Sequence, residues 1–159
     1  DHPTVSSVQD RTRGFRDAIA QHTGITIVDT PSADLATLAS PIRSDADFGN
    51  PNVVKVVCAD DGHALYFSRA AIPHPIAPES RDAARAAALH HHGIYAYRCG
   101  VLRQLVAAPP SQLETCEQLE QLRALSLGMT IKVGIPTTRP GAGVDTEDDL
   151  AVAADQLRK

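Results

Sequence analysis

The sequence predicts an α/β protein, in which strands and helices alternate along the chain. Two observations carry this prediction. Short runs rich in β-branched residues recur and are bounded by glycine, proline or aspartate, as strands usually are. Between them lie segments of strong helix formers, several with a capping residue before the first turn or a glycine after the last. With 159 residues, 43% hydrophobic and 21% charged, the composition is that of one soluble globular domain.

Charge and cysteine content exclude several classes of protein. The net charge of −4 argues against a nucleic-acid partner, since phosphate contacts need clustered Lys and Arg. The three cysteines are widely spaced with no CxxC, which favours a reducing compartment over a disulfide scaffold or a zinc site. No stretch is apolar enough to span a bilayer and no leader peptide opens the chain. We therefore expect a cytoplasmic protein with no membrane partner.

The first half of the chain contains one predicted helix and four predicted strands. Residues 10–22 have helical periodicity, and Thr-Gly at 23–24 ends that helix. Asp-Asp-Gly at 60–62 separates two β-rich runs, which predicts a hairpin. The predicted strands are 25–29, 35–42, 53–58 and 63–68.

In the second half of the chain, predicted helices and strands alternate more regularly. Ser111 and Glu114 form a capping box, which predicts that one long helix begins there. Alternation predicts that the side chains of Met129, Ile131, Val133 and Ile135 all point inward. The predicted helices are 80–90, 101–107, 111–127 and a final one after the glycine loop 141–143, and the predicted strands are 93–98 and 129–135.

Polar residues on the predicted strand near residue 95 form the first candidate site. Alternation places His91, Gly93, Tyr95 and Tyr97 on one face, where the glycine leaves room for a ligand. The alternative is that the tyrosines simply cover the sheet beneath a helix. The run of three histidines at 90–92 does not predict a metal site, because adjacent strand residues point to opposite faces.

Three other features allow both a functional and a structural interpretation. Arg69 ends an apolar strand and either reaches water or binds an anion. Glu117, Glu120 and Gln121 share one helical stripe, which is either solvated or part of a site. Asp145 follows a glycine loop, where it either binds Mg²⁺ or complements the dipole of the final helix.

Four segments together resemble a known family. They are NPNVVKVVCADDGHALYFSRAAIP (50–73), HHGIYAYR (91–98), LETCEQLEQLRAL (113–125) and GAGVDTEDDL (141–150). Their order and spacing are similar to those of the C-terminal half of 3-deoxy-manno-octulosonate cytidylyltransferase, also called CMP-Kdo synthetase. The resemblance runs from about Ala33 to the end of the chain.

The resemblance implies a fold, an activity and a set of site residues. The fold would be of the nucleotide-diphospho-sugar transferase type, a Rossmann-like mixed sheet, in a homodimer. The activity would join CTP and an acidic eight-carbon sugar into CMP-sugar and pyrophosphate for lipopolysaccharide biosynthesis. The resemblance places Arg69, His91, Tyr95, Glu120 and Gln121 in the sugar-acid site, and Asp145 as one of two aspartates that hold Mg²⁺.

Two motifs of the family have no counterpart in these residues. One is the phosphate-binding loop of the type PAR…S-RLPGKPL, and the other is QGDEP with the second Mg²⁺ aspartate. We therefore expect that the N-terminal nucleotide-binding part is missing, so that the chain alone is inactive. Residues 1–32 instead resemble a periplasmic sugar-binding or LacI-type segment, which would place a joint near 30–34 between segments 1–32 and 33–159. The alternative function is a non-catalytic chimeric or truncated α/β protein with a residual sugar or anion site.

Overall fold

A computed structural model describes residues 33–137, and residues 33–135 belong to one compact unit that extends over Thr30–Ile135. Five strands form one sheet in the order β3-β2-β4-β1-β5. The elements are β1 (Leu35–Pro41), α1 (Asp45–Gly49), β2 (Lys55–Cys58), β3 (Ala64–Ser68), α2 (Arg81–Ala87), β4 (Leu89–Tyr97), α3 (Cys99–Ala107), α4 (Gln112–Glu117), α5 (Gln121–Ser126) and β5 (Ile131–Gly134). The predicted helix 10–22, strand 25–29 and final helix lie outside the described residues.

The sheet is mixed, which confirms the predicted α/β class. Strand β4 pairs antiparallel with both β1 and β2, whereas β1 and β5 run parallel with Leu35 opposite Ile131. A parallel pair needs a long crossover connection, and here the chain between β1 and β5 contains all five α-helices of residues 33–137. None of the helices within residues 33–137 is long and apolar enough to cross a membrane.

The predicted hairpin around residues 60–62 is present. Strands β2 and β3 pair antiparallel, with Lys55 opposite Ser68 and Val56 opposite Phe67. Gly62 has φ +79°, a left-handed conformation that glycine adopts without a Cβ penalty. This element could be predicted because the turn chemistry is local to the turn.

The predicted helix 80–90 extends too far. Helix α2 ends at Ala87, and Leu89 already begins β4, where His90 lies opposite both Ser40 and Lys55. The backbone of residues 89 and 90 is therefore used by two neighbouring strands. Pairing on both sides outweighs the helix propensity of the alanine-rich segment.

The predicted single helix 111–127 is also wrong, since the chain breaks it into α4 and α5. Gln118 adopts the left-handed conformation at φ 54° and ends α4. Arg123 Nε then donates to Glu114 Oε2 at 2.7 Å. In a continuous helix these residues would be about 13 Å apart along the axis, so this ion pair requires the break.

One face of the sheet carries the main apolar core. Its fully buried residues include Val56, Phe67 and Leu122, packed with Leu35 and Ile131. A second cluster forms around Phe48 of α1, a helix that sequence reasoning missed although Ser44 caps it. Met129 packs against the main core and Ile131 and Val133 are buried as predicted, but Ile135 is 59% exposed because β5 ends at Gly134.

Candidate functional site

The guanidinium of Arg69 binds the C-terminal end of helix α4. Its Nε donates to the carbonyl oxygen of Glu117 at 2.8 Å and its Nη2 to that of Gln118 at 3.4 Å. Its Nη1 donates to the carbonyl oxygen of Pro51 at 3.1 Å. A cation at this position satisfies carbonyl groups that a helix end leaves without partners. Arg69, the residue directly after strand β3, therefore fastens a helix and a loop to the sheet.

Two of the five guanidinium N–H groups of Arg69 form no hydrogen bond within residues 33–137, one on Nη1 and one on Nη2. The side chain is half-buried, so these groups remain accessible. A guanidinium held by three carbonyls loses little conformational freedom when an anion binds it. Arg69 thus combines a structural role with the capacity to bind a carboxylate.

Two charged side chains, those of Glu117 and Lys55, form hydrogen bonds with the backbone of Arg69. Glu117 accepts from Ser68 Oγ at 2.7 Å and from the Arg69 amide at 3.0 Å. Lys55 is fully buried, and its Nζ donates to the carbonyl oxygens of Asn50 at 2.8 Å and Arg69 at 2.6 Å. Burial lowers the pKa of Lys55, whereas the nearby Glu117 carboxylate acts to raise it. This network holds the backbone of Arg69 in place and so fixes the point from which its side chain extends.

Strand β4 contributes a row of rings. The ring centroids of His91 and Tyr95 are 5.3 Å apart, and those of Tyr95 and Tyr97 are 5.6 Å apart. The Phe67 ring packs edge-to-face with the His91 ring, with the ring centroids 5.0 Å apart. His91, Tyr95 and Tyr97 therefore line one side of the strand, as alternation predicted.

Gly93 departs from the alternation. Between the positions opposite Thr37 and Ala39, β4 carries two more residues than β1, since Tyr95 faces Thr37 and His91 faces Ala39. Gly93 lies in this bulge with φ +69°. Its role is to permit the bulge, whereas the sequence predicted an open position on a regular strand.

Burial governs the ionisation of the two central rings. His91 is 7% exposed, and burial with additional repulsion from His92 and His90 lowers its pKa to about 4. Burial also raises the pKa of Tyr95, with smaller contributions from Tyr97 and Glu120. At neutral pH the imidazole is therefore neutral and the phenol keeps its proton.

Glu120 and Gln121 lie at the start of α5, directly after the break. Glu120 is exposed, yet it is near enough to Tyr95 and Tyr97 to raise the pKa of both phenols. Gln121 is 6% exposed, and its Nε2 has no hydrogen-bond partner in the part of the chain that the structure describes. A buried amide donor of this kind is suited to a ligand or a bound water.

The structure brings the predicted residues together in two groups. His91 and Tyr95 are in ring contact, with Glu120 electrostatically coupled to Tyr95. Arg69 is bound to Gln118, two residues before Glu120. Asp145 lies outside the described residues. Among residues 33–137 no three His, Cys, Asp or Glu side chains are grouped to hold a metal ion, the three histidines included.

Sequence reasoning missed Lys55, Thr37 and the structural role of Glu117. A lysine inside the apolar run VVKVV was a usable signal, because a charged residue in a buried strand must find partners. Thr37 bonds the His91 ring at 2.8 Å across the sheet, which no local pattern indicates. Glu117 is the last residue of α4, and its carboxylate bonds Ser68 and the Arg69 amide across to β3.

The buried His91 predicts a defined acid sensitivity. Its pKa is about 4 in the folded chain against 6.5 in the reference state, so between these values only the unfolded chain binds the proton. Stability should therefore rise with pH from about 4 to 6.5, by up to about 3 kcal/mol. Urea denaturation at pH 4.5 and pH 7 measures this difference. His91→Gln should reduce the pH dependence, whereas replacing the exposed His74 with glutamine should leave it as in the wild type.

Sequence and structure comparisons point to one family. The profile described as cytidylyltransferase matches residues 18–131, well over half of the chain. The match begins inside segment 1–32, whose separate origin stays a prediction. The 3-deoxy-manno-octulosonate cytidylyltransferase of Serratia proteamaculans is 47% identical over 128 residues, covering 79% of this chain and 51% of that protein. That of Yersinia enterocolitica is 50% identical over 121 residues, covering 75% and 48%.

A solved structure agrees with these relatives. The structure of CMP:2-keto-3-deoxy-manno-octonic acid synthetase complexed with CTP superimposes with a TM-score of 0.72 at 35% sequence identity. The superposition covers 96% of this chain and 56% of that one. The chain thus spans about half the length of the relatives it matches. It belongs to the cytidylyltransferase family and, within it, to the 3-deoxy-manno-octulosonate cytidylyltransferases, the CMP-Kdo synthetases.

Proposed function

We propose that this chain carries the sugar-acid side of an enzyme that activates 3-deoxy-manno-octulosonate with CTP, giving CMP-sugar and pyrophosphate for lipopolysaccharide biosynthesis. The observation that supports it most is the Arg69 guanidinium, which three carbonyls hold in place while two N–H groups stay available. In the proposed complex these groups bind the sugar carboxylate. Such charge-assisted hydrogen bonds contribute about 1.5–3 kcal/mol.

The remaining site residues bind the sugar hydroxyls. The Tyr95 phenol keeps its proton at neutral pH and acts as a donor, and the buried Gln121 amide adds another. The exposed Glu120 carboxylate accepts from a hydroxyl, and the neutral His91 ring contributes one nitrogen. Together these residues orient the hydroxyl that attacks the α-phosphorus of CTP, since positioning is a large part of the barrier in such transfers.

The fold of the whole enzyme is proposed to be of the nucleotide-diphospho-sugar transferase type, with the nucleotide side outside residues 33–159. Mg²⁺ would offset the negative charge of the triphosphate. Asp145 is proposed as one of its two aspartate ligands, because it matches the aspartate of the family motif GAGVD. A homodimer is likewise proposed from the family.

A polypeptide of these 159 residues alone is proposed to lack turnover, because neither the phosphate loop nor the QGD aspartate of the family occurs in it. Sugar-acid binding and catalysis are then separable properties of this chain. A non-catalytic protein with a residual sugar site would bind the sugar acid but would not catalyse the transfer.

Thermal denaturation with ligands tests the proposed function. A ligand at about 100 times its Kd stabilises the native state by about 2.7 kcal/mol. We therefore expect 3-deoxy-manno-octulosonate to raise the Tm by several degrees, and a neutral hexose at equal concentration to leave it unchanged. CTP with Mg²⁺ should not raise the Tm of this chain by itself. An unchanged Tm with the acidic sugar at millimolar concentration would contradict the proposal.

A further inference from the structure

The hydroxyl of Thr37 on β1 has two hydrogen-bond partners. It lies 2.8 Å from His91 Nε2 and donates to the carbonyl oxygen of Ile94 at 2.7 Å. Thr37 is 3% exposed and His91 is 7% exposed, so water does not compete freely for these contacts. Both partners belong to β4, on either side of Gly93.

The arrangement determines which atom carries each hydrogen. A threonine hydroxyl has a single hydrogen, and a carbonyl oxygen only accepts. The hydroxyl hydrogen therefore points to Ile94. In the contact with His91 the hydroxyl oxygen must accept, so Nε2 of the imidazole carries the hydrogen.

A neutral imidazole carries one hydrogen, so the other nitrogen is left as an acceptor. The lowered pKa of His91, caused mainly by burial, agrees with a neutral ring at pH 7. Within residues 33–137, Nδ1 of His91 makes no hydrogen bond. The acceptor nitrogen is thus the one that the sheet does not use.

We propose that Thr37 is a positioning residue, which holds His91 in the Nε2–H tautomer so that Nδ1 accepts a hydrogen bond from a hydroxyl of the acidic sugar. The assignment of the ligand rests on the proposed function. The assignment of the tautomer rests only on the hydrogen bonds of Thr37.

The bulge in β4 supplies the Ile94 carbonyl, which takes the hydrogen of the Thr37 hydroxyl. Two extra residues between the positions opposite Thr37 and Ala39 bring the Ile94 carbonyl to a side chain instead of the backbone ladder. Gly93, at φ +69°, permits this path. Without the Ile94 carbonyl the Thr37 hydroxyl could donate to His91, and the opposite tautomer would be equally satisfied.

The tautomer has a consequence for specificity. A nitrogen that only accepts binds the hydrogen of a hydroxyl and has no hydrogen to offer a carboxylate or phosphate oxygen. His91 therefore selects a hydroxyl, and the negative charge of the ligand is left to the guanidinium of Arg69. An analogue that lacks this hydroxyl would leave Nδ1 without its hydrogen-bond donor, which disfavours its binding.

Nitrogen-15 NMR of the histidine rings in the full 159-residue chain, without ligand at pH 7, tests the tautomer. The wild type and Thr37→Ser should show His91 with a protonated Nε2 and an unprotonated Nδ1. Thr37→Val, which keeps the shape but removes the hydroxyl, should show a mixture of tautomers or the Nδ1–H form. Thr115→Val removes a hydroxyl that donates to the carbonyl oxygen of Ser111 at the start of α4, and should leave the His91 signals unchanged.

A wild-type Nδ1–H tautomer or a charged His91 at pH 7 would overturn the proposal, as would a pure Nε2–H tautomer in Thr37→Val. If Thr37→Val does not fold, the wild type and Thr37→Ser still decide the assignment. Titration with 3-deoxy-manno-octulosonate is the second readout, in which Thr37→Val should bind about tenfold more weakly and Thr37→Ser should bind as the wild type does. If the wild type does not bind the sugar, the proposed function fails, and the NMR result still decides the tautomer.

Discussion

Purified alone, the 159-residue chain should release pyrophosphate from CTP, Mg²⁺ and 3-deoxy-manno-octulosonate orders of magnitude more slowly than its longer relatives. Transfer to the α-phosphorus requires the triphosphate to be held in line with the attacking hydroxyl. Such positioning accounts for about 7–11 kcal/mol of a barrier of this kind. The sugar side that we propose for this chain holds only one of the two reactants, so most of that contribution is lost.

Pyrophosphate release coupled to a colour reaction measures this rate, with a full-length relative such as that of Serratia proteamaculans as the positive control. Typical enzymes turn over at about 1–1000 per second. A rate near one per second from the 159-residue chain would contradict the expectation. It would mean that these residues form a phosphate site without the loop and the QGD motif of the family.

Features whose causes are local could be predicted from the sequence. The hairpin at 60–62 follows from the need for a left-handed residue at Gly62, and the helix start at Ser111 follows from its capping box with Glu114. The neighbouring rings of Tyr95 and Tyr97 follow from the two-residue period of a strand. In each case the decisive interaction lies within a few residues along the chain.

Features that depend on distant contacts could not be predicted. The break at Gln118 accompanies the ion pair of Arg123 with Glu114, and no local sequence pattern indicates that these two side chains meet. The start of β4 at Leu89 depends on pairing with two other strands. For the candidate site, family motifs indicated the candidate residues but not the Thr37 hydroxyl, which forms a hydrogen bond with His91 across the sheet.

Arg69, directly after β3, has a structural role and a proposed ligand-binding role, and a single replacement would affect both. Arg69→Ala should weaken the binding of the sugar acid by about 10- to 100-fold, because a charge-assisted contact is lost. It also removes three hydrogen bonds to carbonyl oxygens, which lowers stability. Arg69→Lys should restore binding only in part, since lysine keeps the charge but lacks the planar fork. Replacing the exposed Arg103 of α3 with alanine is the matched control.

A ligand without the charge separates the two roles. The methyl ester of 3-deoxy-manno-octulosonate keeps the hydroxyls and loses the carboxylate charge. If Arg69 binds that carboxylate, the acid binds the wild type more tightly than the ester does, and the two bind Arg69→Ala equally. If Arg69 only supports the fold, Arg69→Ala weakens the acid and the ester by the same factor.

Calorimetric titration of acid and ester into the wild type and Arg69→Ala therefore tests the proposed sugar-acid site most directly. The predicted result is saturable binding of the acid to the wild type, with a preference for the acid over the ester that disappears in Arg69→Ala. No binding of the acid by the wild type, or a preference that survives in Arg69→Ala, would contradict it.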